Sequence, residues 1–425
     1  MKIIDVGAYQ ILDSRGNPTI EVEVCLEKGV RGRGLTPSGA SAGQFEALEL
    51  RDRDPARFGG LGVQEAIHNV QKEIRSAVLG MDAGDQLSVD QALIGLDGTT
   101  NKSRLGANSI LSVSMAVANA AAAAQGLPLY VHLGGEDANL IPLPQIQIIG
   151  GGAHANRTLD IQDFLVVALS AQTYANALEM THRVYRATAD LLLSAGKRFG
   201  VADEGGFWPV FRTNEEPLEL LVRAIERAGY QPGHDMAIAL DFAATELYEV
   251  KTGQYCFRLE NRKFATEEFA GLIRSWCDRY PIASIEDPMA DTDFPGWQTI
   301  TGTLGSSVQI VGDDLFTTNV ERIQQGANRK LANAVLIKLN QIGTVSETLN
   351  AIEVTRAAGW RPIVSARSGE TEDTFISHLA VATNAGQIKV GSITRGERTA
   401  KWNELLRIER RLGNQARYIG AAALH

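Results

Sequence analysis

Short apolar runs that each end in a charged or polar residue recur through the second two-thirds of the chain, and this rhythm limits the folds open to it. The runs are "FGVADEGG", "MAIALDFA", "IASIEDP", "VQIVGDDL", "AVLIKLNQ", "PIVSARSG" and "QIKVGS". Most are separated by a stretch of helical character. The reference positions Asp241, Glu286, Asp313, Lys338, Arg367 and Lys389 lie 45, 27, 25, 29 and 22 residues apart, and most of these gaps suit one strand–helix unit. Such a succession predicts a (β/α)8-type barrel, in which residues scattered through the sequence meet at the carboxyl ends of the strands.

The first part of the chain reads differently. Residues 18 to 36 alternate apolar and polar side chains through Val24, reach a Lys28–Gly29 turn and continue as a second strand, an antiparallel hairpin. From about 62 to 126 the pattern becomes helical, with Ala66, Val70, Ile74 and Val78 on one stripe that ends at Gly80. Strands followed by helices predict an α+β unit. The alanine-rich segment 110–126 carries Ser and Asn among its apolar residues, which suits a closely packed internal helix better than a membrane span. A chain of 425 residues exceeds the usual size of one core, so two domains are expected.

Composition narrows the function. A formal net charge of −9 argues against non-specific nucleic-acid binding but leaves room for a local cationic pocket. Cys25, Cys256 and Cys277 match no metal-binding spacing, so buried free thiols in a reducing compartment are expected. The first residues meet acidic side chains before any long apolar run, unlike a secretory signal, and the expected location is cytoplasmic, with no membrane partner.

At the strand ends, Asp241, Glu286 and Asp313 would bring three carboxylates to one mouth. Their repulsion calls for a cation, and hard oxygen donors suit Mg2+. In "GDDL" the ligand is assigned to Asp313 and Asp314 is left as a neighbour. Lys338, among apolar residues, is expected to have its charged form disfavoured by burial beside the dication and so to serve as a base. Arg367, Ser368 and Lys389 supply a guanidinium, a hydroxyl and an ammonium for an anionic ligand. These parts suit removal of a proton next to a carboxylate whose ene-diolate is stabilised by a metal, and the enolase superfamily is the established example of that chemistry. Glu204, ahead of two glycines, is the candidate acid.

From about Ile11 to Gly413 the motifs "ILDSRGNPT", "PSGAS", "EALELRD", "LDGTTNKSRLGAN", "GGAHA", "DEGG", "SIEDP", "GDDL", "IKLNQIGT", "RSGETEDT", "GQIK" and "AKWNELLRIE" resemble the enolase family. The resemblance implies an α/β fold, an enolase-type modified (β/α)8 barrel over 137–425 with an N-terminal α+β domain over 1–136, and a homodimer. It implies dehydration of 2-phosphoglycerate to phosphoenolpyruvate. Carried over residue by residue, it makes Asp241, Glu286 and Asp313 ligands of the first Mg2+, Lys338 the base and Glu204 the acid. Arg367 and Ser368 match the clamp for a phosphorylated substrate, with Lys389 near its carboxylate. Ser41 matches a loop serine that closes on a second metal, and His154 an active-site histidine.

The departures cluster at these same motifs. Ala366 stands where the family has His, Asp163 where it has a Glu of the catalytic pocket, Gly150 where it has Asn, Ala42 where it has Thr, and Ala202 where it has Gly. Losing an imidazole at 366 and a methylene at 163 enlarges the expected pocket. The same resemblance therefore leaves open an enzyme for a different or second phosphorylated or phosphonate substrate, in the manner of carboxyphosphonoenolpyruvate synthases, and also a non-catalytic binding protein of this fold.

Overall fold

The computed structural model describes residues 1–39, 43, 45–197 and 199–424. Three antiparallel strands open the chain: β1 (Ile3–Leu12), β2 (Pro18–Leu26) and β3 (Arg31–Leu35). The β2–β3 hairpin turns at Lys28 and Gly29, both at positive φ, as the sequence predicts. The predicted stripe Ala66, Val70, Ile74 and Val78 is fully buried. Its strict four-residue spacing would drift by about 40° per step around an ideal α-helix. The helix accommodates this by widening to π geometry over Val70–Ile74, between α-helical turns Gln64–Asn69 and Arg75–Val78.

Helix Ala107–Gln125 is long and apolar enough to cross a membrane, yet 83% of its apolar window is buried inside the protein. The sequence "RGRG" explains how it packs. Arg31 and Arg33 point outward, while a Cβ on Gly32 would lie 2.1 Å from the Ala120 nitrogen and one on Gly34 2.3 Å from the Ser112 carbonyl. Alternation along β3 thus turns two glycines toward the helix, and only glycine permits so close a backbone approach.

The remainder forms a closed eight-stranded barrel. Its first strands are β4 (Leu143–Gly150), β5 (Asp163–Ala168) and β6 (Met236–Asp241). A small side sheet follows, β7 (Tyr248–Glu249), β8 (Gln254–Phe257) and β9 (Arg262–Ala265). It accounts for the long gap between Asp241 and Glu286. The barrel continues with β10 (Ile282–Glu286), β11 (Gln309–Gly312), β12 (Ala334–Ile337), β13 (Arg361–Ser365) and β14 (Gln387–Gly391), which pairs with β4. Strand β5 runs antiparallel to both neighbours and the other barrel pairs are parallel. This reversal matters for the site. It places Asp163, the first residue of β5, opposite Gly150 and Asp241, the last residues of β4 and β6.

Two expectations need correction. The run "FGVADEGG" is no barrel strand: its residues form a turn on the end of β4, where the Gly150 N–H donates to the Phe207 carbonyl and the Phe207 N–H to Ile148. The cysteines are free, but half-buried rather than buried, because each lies at a position flanking a core face.

Candidate active site

Strand polarity brings the acids together. Asp241, Glu286 and Asp313 follow one another on or just after β6, β10 and β11, and are buried at the same barrel end. The Lys389 ammonium, reaching from β14, lies 2.8 Å from Asp241 Oδ2, 2.7 Å from Glu286 Oε2 and 3.4 Å from Asp163 Oδ2. Burial works against its charge, but Asp241 and Glu286 outweigh it and hold Lys389 well above the usual lysine range. One ammonium does not neutralise the group. Burial, then the neighbouring Asp241, pushes Glu286 well above the usual carboxylate range.

The next two strands carry Asp313 and Lys338. The Lys338 Nζ pairs with Asp313 Oδ2, and Asp313 Oδ1 accepts from Gln341 Nε2 at 2.8 Å. Burial alone would lower Lys338, as the sequence reading expects, but the Asp313 carboxylate outweighs it and raises the amine above its ordinary value. Without an additional cation beside Asp313, Lys338 is therefore an acid in waiting rather than a free base. Asp287 accepts from the backbone N–H groups of Asp313 and Asp314 at 2.9 and 2.8 Å, which fixes the "GDDL" turn. Oxygens of Asp287, Asp313 and Asp314 lie within 4.8 Å of one another. Burial and Asp313 together raise Asp314 to about 7.

Arg367 and Ser368 follow β13. The Arg367 guanidinium is engaged by Glu46 in a two-pronged pair, Nη1–Oε2 2.9 Å and Nη2–Oε1 3.2 Å, and Nη1 also donates to Asn340 Oδ1 at 3.0 Å. Both side chains are buried. Beneath them Arg398, from helix Gly396–Leu412, donates to the carbonyls of Arg367 at 2.6 Å and Val390 at 3.0 Å, and to that of Ser368. The backbone of Arg367 and Ser368 is thus fastened to the last barrel strand.

His154, Asp163 and Glu204 form a third group. His154 Nδ1 lies 3.2 Å from Asp163 Oδ1, and its Nε2 3.8 Å from Glu204 Oε1. Burial pushes the imidazole down, but Glu204 and Asp163 outweigh it and raise it to about 9. Asp163 Oδ1 also accepts from Gln147 Nε2, while Oδ2 has no hydrogen-bond partner among the described residues and faces Lys389. The short side chain is thus spent on its neighbours within the barrel.

One cavity is lined by residues of all three groups, among them His154, Glu204, Asp241, Asp313, Lys338 and Arg367. Ala366 also lines it. Glu286 lies behind the Lys389 ammonium and makes no part of the wall. Ser41 and Ala42 lie outside the described residues. The predicted donors Asp241, Glu286 and Asp313 suit a hard divalent cation in kind, being buried carboxylates with more negative charge than Lys338 and Lys389 balance, but among the described residues the groups gathered within 4.8 Å are Asp287, Asp313 and Asp314, and His154, Asp163 and Glu204. Sequence reasoning assigned no role to Glu46, Gln162, Asp287, Asn340 or Arg398. Glu46 sits inside the motif "EALELRD", which gave the only signal available for it.

Comparison with known proteins agrees with this geometry. The family model described as the enolase N-terminal domain matches residues 3–133, and that of the enolase C-terminal TIM barrel domain matches residues 138–425. The chain is 54% identical over 418 residues to "Enolase 1" of Desulfitobacterium hafniense (strain Y51), covering 98% of this chain and 95% of that protein. With both family domains present in order and a relative this similar along nearly its whole length, the chain belongs to the enolase family and is a hydro-lyase of the phosphopyruvate hydratase type.

Proposed function

We propose that this protein dehydrates 2-phosphoglycerate to phosphoenolpyruvate, with Lys338 as base and Glu204 as acid. The observation that carries this reading is a buried lysine set among surplus carboxylates, in one cavity with a guanidinium clamp. Arg367 and Ser368 take the phosphate, so Glu46, which now occupies the guanidinium fork, must yield it. Lys389, bracketed by Asp241, Glu286 and Asp163, directs the substrate carboxylate toward the acidic side of the cavity. Mg2+, for which Asp241, Glu286 and Asp313 are the donors, supplies when bound the positive charge that stabilises an ene-diolate.

Once Asp313 no longer holds its ammonium, Lys338 loses that proton to solvent, and the free amine then removes the proton at the carbon next to the carboxylate. Glu204 then delivers a proton to the departing hydroxyl. Glu204 carries that proton as the neutral acid, and His154, between it and Asp163, holds the Asp163 carboxylate with its Nδ1 and faces Glu204 with its Nε2. The reading includes a homodimer in the cytoplasm as the working assembly. Adding 2-phosphoglycerate and Mg2+ and following the enol double bond by ultraviolet absorbance tests it. Turnover no faster than that of Lys338→Ala would remove the lyase assignment.

Ala366 favours a second reading, because its methyl lines the cavity where the family resemblance calls for an imidazole. The space would admit a different or second phosphorylated or phosphonate anion. Restoring the ring by Ala366→His distinguishes the two. Faster turnover of 2-phosphoglycerate means that the missing ring limited that reaction, and unchanged turnover favours the alternative substrate.

A further inference from the structure

Gly150 ends β4, separated by β13 and β14 from β12, after which Lys338 lies, and it stands beside the Glu204 turn. Its backbone is not in the left-handed region, so an L side chain is conformationally acceptable there. What excludes one is a single group. A Cβ built on Gly150 lies 2.6 Å from the methyl of Ala202, and its next neighbours are Gln147 atoms at 3.5 and 3.6 Å, an ordinary contact distance. The Ala202 methyl is buried and, unlike the tip of a long side chain, cannot swing aside without moving its own backbone.

That backbone is the turn that carries Glu204. The Ala202 N–H donates to the Gly206 carbonyl at 2.7 Å, and the Gly205 N–H to the Ala202 carbonyl at 2.9 Å. The turn is pinned from two sides: Gly206 N–H donates to Gln147 Oε1 at 2.8 Å, and the Glu204 carbonyl accepts from Ser392 N–H at 2.8 Å. Gln147 uses its other end to hold Asp163. A shift of Ala202 is therefore passed to Glu204 and, through Gln147, to Asp163.

We propose that Gly150 and Ala202 are a reciprocal packing pair that positions Glu204: the space between the end of β4 and the turn holds one methyl, borne here by the turn instead of the strand. The proposal rests on the reading of Glu204 as the elimination acid. Neither residue touches the reacting atoms, and both act through Glu204.

The test is a double-mutant cycle with Gly150→Ala, Ala202→Gly and the double variant. It reads dehydration, exchange of the substrate C2 hydrogen with solvent deuterium, and thermal unfolding. Exchange reports Lys338 and dehydration reports Lys338 with Glu204, so a misplaced acid raises the ratio of exchange to dehydration, which a purely structural fault would not do. Gly150→Ala should lower the dehydration rate about tenfold or more, since displacements of about 1 Å are costly in active sites. The double variant should recover to within about threefold of the parent, showing coupling. If Gly150→Ala fails to fold, folding of the double variant is the expected sign of the same coupling. A double variant as impaired as the product of its singles, or as unfolded as Gly150→Ala, overturns the pair. A Glu204→Gln control separates the two readings. An unchanged exchange ratio there removes the acid assignment, while an altered ratio with additive cycle energies removes only the pair.

Discussion

Two polar layers lie inside the same barrel, and they have opposite characters. In the inner one Gln145 Nε2 donates to Gln387 Oε1 at 3.0 Å, Gln309 Nε2 to Ser284 Oγ at 3.0 Å, and Gln387 Nε2 to Gln309 Oε1 at 2.7 Å and the Ala423 carbonyl at 2.8 Å. Two residues further along the same strands, Ser284 gives way to Glu286 and Gln387 to Lys389, the alternation that stacks side chains in layers within such barrels. The neutral layer closes its hydrogen bonds on itself. At the mouth, Asp163, Glu204, Asp241, Asp287, Asp313 and Asp314, with Glu286 behind Lys389, meet among the described residues the cations Lys338, Lys389, Arg367 and His154, and Arg367 is already shared with Glu46. Burial of polar groups therefore does not by itself mark the functional end of the barrel. Imbalance of charge does, because a buried surplus is costly and persists where a ligand completes it.

The largest break in this symmetry should come from substituting one residue in each layer. Lys338→Ala removes the proposed base and should lower turnover by about 10³-fold or more, measured by absorbance of the enol product. Gln387→Met should cost about 1–3 kcal/mol in urea unfolding through the hydrogen bonds it abandons, yet leave turnover within a few-fold. Equal losses of activity would mean that the inner layer also serves the chemistry.

The layers should also differ in their response to pH. The His154 imidazole is raised from 6.5 to about 9 in the folded protein. A group raised on folding contributes its full stability below its unfolded pKa, near pH 6.5, and loses it as pH climbs through 9. The shift corresponds to on the order of 3 kcal/mol. Urea unfolding at pH 6 and pH 9.5 should show this decline, and His154→Gln should flatten it, whereas Gln387→Met should leave the slope in place. A slope unchanged by His154→Gln would assign the pH dependence to other groups.

Much of the mouth can be read from sequence because parallel strands buried on both faces become continuous apolar runs, each stopped by the polar residue it delivers. This holds for Asp241, Glu286, Asp313, Lys338 and Arg367. It fails for β4, whose Gln145 and Gln147 alternate like solvent-facing residues but point into the barrel. It fails for β5 as well, where the strand begins with its acid because it runs the other way. A rule that looks for the acid at the carboxyl end finds neither strand and takes the Glu204 turn for one. Glu46 and the Gly150–Ala202 contact depend on residues distant in sequence, and no periodicity announces them. The direction of the Lys338 shift also needed coordinates, since burial and the Asp313 carboxylate oppose each other and only distance decides between them.

Metal should sharpen the contrast further. If the mouth awaits a cation, Mg2+ at about 100 times its dissociation constant should stabilise the protein by about 2.7 kcal/mol, seen as a rise in thermal midpoint that a chelator reverses. Asp241→Asn should abolish the rise. Gln309→Met, in the neutral layer, should preserve it, because its carboxamide binds Ser284 and Gln387 in that same layer. A rise that survives Asp241→Asn would place the cation elsewhere.

The smallest expected effect concerns the cationic side of the mouth, where charge is already balanced. Glu46 holds the Arg367 fork with two bonds, and any incoming phosphate must compete for the same donors. Glu46→Gln keeps the size of the side chain and one acceptor oxygen but removes the charge, so the fork should meet inorganic phosphate with less competition. Inhibition by phosphate should tighten by about fivefold, close to 1 kcal/mol. The gain is small because the amide still partly fills the fork, and because losing a carboxylate also costs Arg367 some of its fixed geometry. Weaker phosphate inhibition would show that Glu46 orients the guanidinium for the anion more than it blocks it. In that case the pair would belong with the satisfied networks of the inner layer, and the surplus at the mouth would reside in the acids around Lys338 and Lys389 alone.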